Sequence, residues 1–116
     1  MRLGVERRVR LPGIGYRLPD FAYWLPGLPS GNDTVPTLVV EVRSPDETMA
    51  SQREKCGHFR AAGTSLCWLI DPERRTVEVF DESHDGQRLP ADGVLESPLL
   101  PGLRVTMADL WAALRD

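Results

Sequence analysis

The clearest alternation along the chain is Thr37-Leu38-Val39-Val40-Glu41-Val42-Arg43, a β-branched run with a proline-rich stretch before it and Ser44-Pro45 after it. Period-two geometry sends Leu38, Val40 and Val42 to one face and Val39, Glu41 and Arg43 to the other. Ser44-Pro45-Asp46-Glu47 then has the form of a helix start, with serine as cap, proline first in the helix and glutamate three residues after the cap. Asp46 or Thr48 serves equally well as the cap. The pattern predicts a helix running to about Ala62, where Gly63 offers a left-handed stop. Leu66 to Asp71 is an apolar run of buried-strand type, Pro72 opens a turn, and Thr76 to Asp81 alternates again, completing a hairpin.

The flanks are weaker. Residues 1 to 11 alternate Val5, Val9 and Leu11 against Arg8 and Arg10, which predicts an edge strand ended by Pro12-Gly13. Asp20 to Leu25 is a short aromatic strand, and Pro26 to Pro36 has the composition of a loop. Gly86 to Pro90 reads as loop, and Val94 to Val105 as irregular or short-strand material. Thr106 to Asp109 caps a short amphipathic helix through Trp111 and Leu114. Strand, helix, strand over 37 to 43, 46 to 62 and 66 to 71 is a βαβ unit, so its two strands are expected to be parallel and its crossover right-handed. The fold class is mixed α/β: a small sheet with antiparallel outer strands, a crossover helix and a C-terminal helix.

Composition narrows the class without naming a chemistry. At 116 residues, with no repeat, low-complexity segment or linker-like shift, residues 1–116 read as a single domain. The charged fraction of 27% and hydrophobic fraction of 41% are those of an ordinary globular protein. A formal charge of -3 gives no global attraction to nucleic acid, so a polyanion would have to meet a local basic surface such as Arg2, Arg7, Arg8, Arg10 and Arg17. An arginine-bearing strand is equally a solvated sheet face. Cys56 and Cys67 match no metal-ligand spacing and are expected to be two reduced, half-buried thiols. No run approaches the roughly 18 apolar residues of a membrane span, and the arginine-rich start is unlike a signal peptide, so the expected compartment is cytoplasmic.

Glu41 asks for an explanation, because an ionised carboxylate in an apolar run is costly unless it is paired or coordinates a metal. From Glu41 to the end of its strand is about 4 residues, or roughly 13 Å. A helix starting near Asp46 and running back returns roughly 13 Å by Lys55. Lys55 is therefore expected level with Glu41. If the strand opened by Asp20 pairs antiparallel with 37 to 43, a second carboxylate sits beside Glu41. Two adjacent carboxylates repel, and Mg²⁺ or Mn²⁺ relieves the repulsion and activates a water, while an ammonium stabilises charge on a transferring phosphoryl group. Each residue also has a structural explanation. Asp20 suits a turn, Glu41 could pair with Arg43 or Arg53, and Lys55 could be solvated. Trp68 belongs in the core, and Tyr23 and Trp24 either stack on bases or cover the sheet. His58 shares a helix face with Lys55, but no second histidine lies near enough for a zinc site.

Further short motifs occur in order along the chain: Arg17-Leu18-Pro19-Asp20-Phe21-Ala22-Tyr23, Pro36 to Pro45, Lys55 with Phe59, Ala62-Gly63-Thr64, Trp68 to Pro72, and Leu99 to Leu103. Together, from about Arg17 to Trp111, they resemble the Uma-two family, restriction-endonuclease-like proteins of the PD-(D/E)XK nuclease superfamily. The resemblance implies a restriction-endonuclease-like core with Asp20 and Glu41 as metal ligands. The superfamily's usual lysine position, two after the glutamate, is Arg43 here, and the family places the lysine on the following helix, at Lys55. Family members usually carry tens of residues upstream, so the chain is expected to be N-terminally shortened. The leading expectation is a Mg²⁺- or Mn²⁺-dependent endonuclease acting on DNA through Asp20, Glu41 and Lys55. A second is a catalytically inactive binding or assembly module, and a third is a small-molecule or nucleotide hydrolase with the same metal chemistry. Trp111 and the N-terminal strand mark where a homodimer would form.

Overall fold

A computed structural model of the protein describes residues 2–5, 9–11, 15–17, 21–25 and 35–114, with side-chain surroundings from residue 21 onward. The chain order is β1 (Arg2–Val5), β2 (Val9–Leu11), β3 (Gly15–Arg17), β4 (Phe21–Trp24), β5 (Leu38–Val42), α1 (Met49–Ala61), β6 (Leu66–Asp71), β7 (Thr76–Phe80), β8 (Asp85–Arg88), β9 (Val94–Leu95), β10 (Val105–Thr106) and α2 (Met107–Leu114).

The principal sheet has six strands in the order β1-β4-β5-β6-β7-β8. Within it β5 and β6 are parallel, as a helical crossover requires, and every other pairing is antiparallel. The fold is thus the mixed α/β sheet expected. The first eleven residues do not form one strand, however. β1 is the sheet edge beside β4, whereas β2 pairs with β3 in a separate hairpin. The segment expected to be loop near Gly86 is strand β8, which pairs with β7 through an irregularity at Val79/Phe80. Its residues are polar and largely exposed because it is an edge strand, held by its ladder to β7 rather than by burial.

Alternation in β5 divides the core as the sequence implies. Val39 and Glu41 face α1, whose buried stripe is Gln52, Cys56 and Phe59 at helical spacing. Trp24, Cys67, Leu69 and Phe80 complete that layer. Leu38 faces the other way, among Trp68, Ile70 and Val77, beneath Leu95, Leu100 and Met107 of the C-terminal segment. Every residue of β6 is buried, which is why its sequence is apolar without alternation.

Helix α1 begins at Met49, about a turn later than a Ser44 cap would give. Thr48 is the cap, and its hydroxyl accepts from the Ser51 N–H at 3.0 Å. Ser44 N–H and Oγ–H both donate to Glu47 Oε1, at 3.0 and 2.7 Å, and the Glu47 amide donates to the Ser44 carbonyl, so only one of the two capping-box bonds forms and the pair closes a turn instead of a helix. At the other end Gly63 has φ +115°, Thr64 N–H donates to the Phe59 carbonyl, and Gly63 N–H donates to the Arg60 carbonyl. This is the Schellman stop. It turns the chain directly into β6. α2 starts as expected, with Thr106 Oγ1 accepting from Asp109 N–H at 3.1 Å. No helix among the described residues is long and apolar enough to cross a membrane.

Candidate active site

Glu41 lies on β5 facing α1 and is 1% exposed. Lys55, on α1, reaches it: Nζ donates to Glu41 Oε2 at 3.2 Å, with the lysine side chain 22% exposed. Lys55 therefore comes level with Glu41 as expected, although the helix starts at Met49 rather than near Asp46. Neither arginine proposed as a structural partner of Glu41 takes that role. Arg43 leaves along the same strand toward Asp71, its Nη2 donating to Asp71 Oδ1 at 3.2 Å and to Glu73 Oε2 at 2.8 Å. Arg53 makes a two-pronged bond to Glu78, at 2.9 and 2.7 Å. Both arginines titrate above their ordinary value, chiefly through these hydrogen bonds. Lys55 is the described cation at Glu41.

Asp71 is fully buried and ties the end of β6 to β5. Burial pushes its carboxyl up, but bonds from Arg43 and from the Arg74 and Glu73 amides outweigh burial and leave it below the ordinary value. Arg43 thus serves as a strut between the ends of β5 and β6.

The expectation for Asp20 lies outside the described residues. Its sequence neighbour is described: Phe21 pairs with Val40, the residue before Glu41. The N-terminal arginines' side chains also lie outside. Trp24 and Tyr23 are buried on opposite faces of the sheet, so both cover it, and Trp68 is core. His58 stands within 3.9 Å of Glu54 and forms no histidine cluster. The two cysteines are fully buried rather than half-buried, and both are free. A hydrogen bond with Cys56, together with burial, raises the Cys67 thiol well above its ordinary value, which makes it a poor nucleophile.

Two further groups belong to this neighbourhood and were not picked out from the sequence. Gln52, 2% exposed, donates from Nε2 to Glu47 Oε2 at 2.6 Å. Burial pushes the Glu47 carboxyl up, yet the Ser44 hydroxyl and amide, the Gln52 amide and the charge of Lys55 bring it below the ordinary value. Glu47 is therefore an anionic anchor one strand-end away from Glu41. The signal for Gln52 was its spacing, since it shares the 52, 56, 59 stripe with Cys56 and Phe59.

The profile of the Uma2 family, described as "Putative restriction endonuclease", matches residues 2–108. The chain belongs to the Uma2 family. Among solved structures it is similar to a crystal structure described as "a putative nuclease belonging to DUF820 from Anabaena variabilis ATCC 29413", with a TM-score of 0.82 and 23% identity over 98% of this chain and 69% of that one. At that identity the likeness is one of fold. No curated protein matches.

The donor set of the described residues suits a hard divalent ion. It offers the Glu41 carboxylate and, three residues before Lys55 on α1, a buried amide oxygen of Gln52 with no hydrogen-bond partner among the described residues. Mg²⁺ is characteristically held by one or two carboxylates and otherwise keeps water. Among the described residues no group of three or more His, Cys, Asp or Glu is placed to hold a metal.

Proposed function

We propose that this Uma2 protein is a divalent-metal-dependent endonuclease that hydrolyses DNA phosphodiester bonds, with Asp20 and Glu41 as the metal-holding carboxylates and Lys55 as the catalytic cation. The observation that carries the proposal is the Lys55–Glu41 contact across the β5/α1 layer, an ammonium and a buried carboxylate brought together from 14 residues apart. For Asp20 the support is the antiparallel pairing of Phe21 with Val40, which brings the neighbours of the two acids together. The DNA substrate is supported by the family description and by the description of the similar solved structure.

When bound, a Mg²⁺ or Mn²⁺ ion supplies an activated water and offsets charge on phosphate oxygens. The chain's residues do the rest. Lys55 is held by Glu41 in a fixed direction, and an ammonium has three donors, so it can serve the carboxylate and a phosphoryl oxygen together. Its positive charge favours the phosphoryl group most where negative charge builds up, in the transition state. Glu41, fixed between Lys55 and the sheet, needs no reorganisation when substrate arrives.

The test is incubation of purified protein with supercoiled plasmid and Mg²⁺ or Mn²⁺, beside Glu41→Ala. Nicking by the parent and none by the variant is expected. Equal background from both overturns the proposal.

A further inference from the structure

Gln52 is the odd member of the α1 stripe. Cys56 and Phe59 are apolar and fully buried, whereas Gln52, 2% exposed, brings an amide into the same layer. Its nitrogen is satisfied by Glu47, but its oxygen is buried with no hydrogen-bond partner among the described residues. Burying a bare acceptor is costly, and native proteins rarely leave one without a reason. Packing alone would be better served by leucine or methionine.

Its position suggests the reason. Gln52 precedes Lys55 by three residues, so the two are neighbours on the helix surface. Lys55 reaches Glu41, and Gln52 is held through its nitrogen by Glu47, in the turn that joins β5 to α1. The bare oxygen, the buried carboxylate and the ammonium thus share one neighbourhood at the end of β5. We propose that the Gln52 amide oxygen belongs to the divalent-cation site, as a neutral oxygen donor beside the Glu41 carboxylate. This rests on the metal-dependent function proposed above.

The chemistry is consistent. Carbonyl-type oxygens suit Mg²⁺ and Mn²⁺, and an amide adds a donor without adding a third negative charge next to Glu41 and Glu47. The Glu47 bond holds the amide by its nitrogen, and Ser44 holds Glu47 in turn, so the oxygen's orientation is set before any ion arrives.

The experiment is calorimetric titration of the whole chain with Mn²⁺, together with melting temperatures with and without the ion, for the parent, Gln52→Met, Gln52→Glu and Glu41→Gln. Gln52→Met is expected to raise the Mn²⁺ Kd roughly tenfold. Gln52→Glu is expected to melt lower than the parent without the ion, because two carboxylates then face each other, and to recover with Mn²⁺ while binding it more tightly. If Gln52 only anchors Glu47, Gln52→Met binds Mn²⁺ like the parent and Gln52→Glu melts low with or without the ion. Either result overturns the assignment. The glutamate variant keeps the test decisive if the methionine variant fails to fold. Parental binding that is lost in Glu41→Gln and unchanged in both Gln52 variants removes Gln52 alone. A parent that binds no Mn²⁺, or binds it as Glu41→Gln does, removes the metal-dependent function and this assignment with it.

Discussion

Replacing Lys55 with methionine keeps the stem and deletes the charge, which isolates what the ammonium contributes to Glu41. At 3.2 Å, and with an effective dielectric constant near 20, the attraction between the two charges is roughly 5 kcal/mol before desolvation is subtracted. Removing one partner of a buried pair typically costs about 3–5 kcal/mol, because the remaining charge keeps its desolvation penalty. Glu41 is 1% exposed and meets that condition, but the Lys55 side chain is 22% exposed and recovers some hydration. The expected loss is therefore at or just below the lower end of that range, about 2–3 kcal/mol. Urea unfolding of the parent, Lys55→Met, Glu41→Gln and the double variant measures it. The double variant should lose less than the sum of the singles, with a coupling of about 1–3 kcal/mol. A Lys55→Met protein within about 0.5 kcal/mol of the parent, the ordinary range for a surface substitution, would refute the reasoning. The lysine would then be a solvated helix residue whose contact with Glu41 carries no energy.

Other outcomes follow from the elements around the site. Thr48→Ala should cost about 1 kcal/mol in urea unfolding by removing the acceptor for Ser51 N–H, whereas Ser44→Ala should leave the helical signal in circular dichroism unchanged, since Ser44 closes a turn outside the helix. Gly63→Ala should cost about 1–2 kcal/mol, because φ +115° strains any side-chain-bearing residue although a Cβ there meets open space. Acidification should destabilise the protein in part through Asp71. Its carboxyl is depressed in the fold, so its contribution is present above the ordinary value of 3.8 and lost as pH falls through the lower folded value. Asp71→Asn should accordingly be less stable than the parent at neutral pH, with the difference shrinking below about pH 4 in an acid melt. A constant difference across that range would show that the Arg43 pairing does not depend on charge.

The approach of Lys55 to Glu41 was legible in the sequence because it depends on rises and periods. Alternation in β5 determines which face Glu41 takes, and the two rises per residue determine that Lys55 comes level with it. The Gly63 stop was legible for a similar reason, since few residues other than glycine accept its backbone angles. The start of α1 was legible only as a choice among Ser44, Asp46 and Thr48, because Ser44 to Glu47 has the residues of a capping box and only the fold shows that its serine hydroxyl meets the Glu47 carboxylate instead of the Glu47 amide. Strand β8 was missed because Asp85-Gly86-Gln87-Arg88 is polar and exposed, and only its partner β7 makes it a strand. The split of residues 1 to 11 into β1 and β2 was hidden similarly, since alternation does not say which sheet a strand joins. Gln52 shares the spacing of Cys56 and Phe59 but was passed over because glutamine on a helix is ordinarily solvated. Only the packing of α1 on the sheet shows that this one is buried.

The most direct measurement is anomalous diffraction from crystals of the parent soaked in Mn²⁺. A peak at direct ligand distance from Glu41, with Asp20 on the same ion and Lys55 still beside the carboxylate, is the expected result. A protein that takes up no Mn²⁺ at Glu41, or binds it only at carboxylates elsewhere on the surface, contradicts the assignment of this site to metal-dependent phosphodiester hydrolysis.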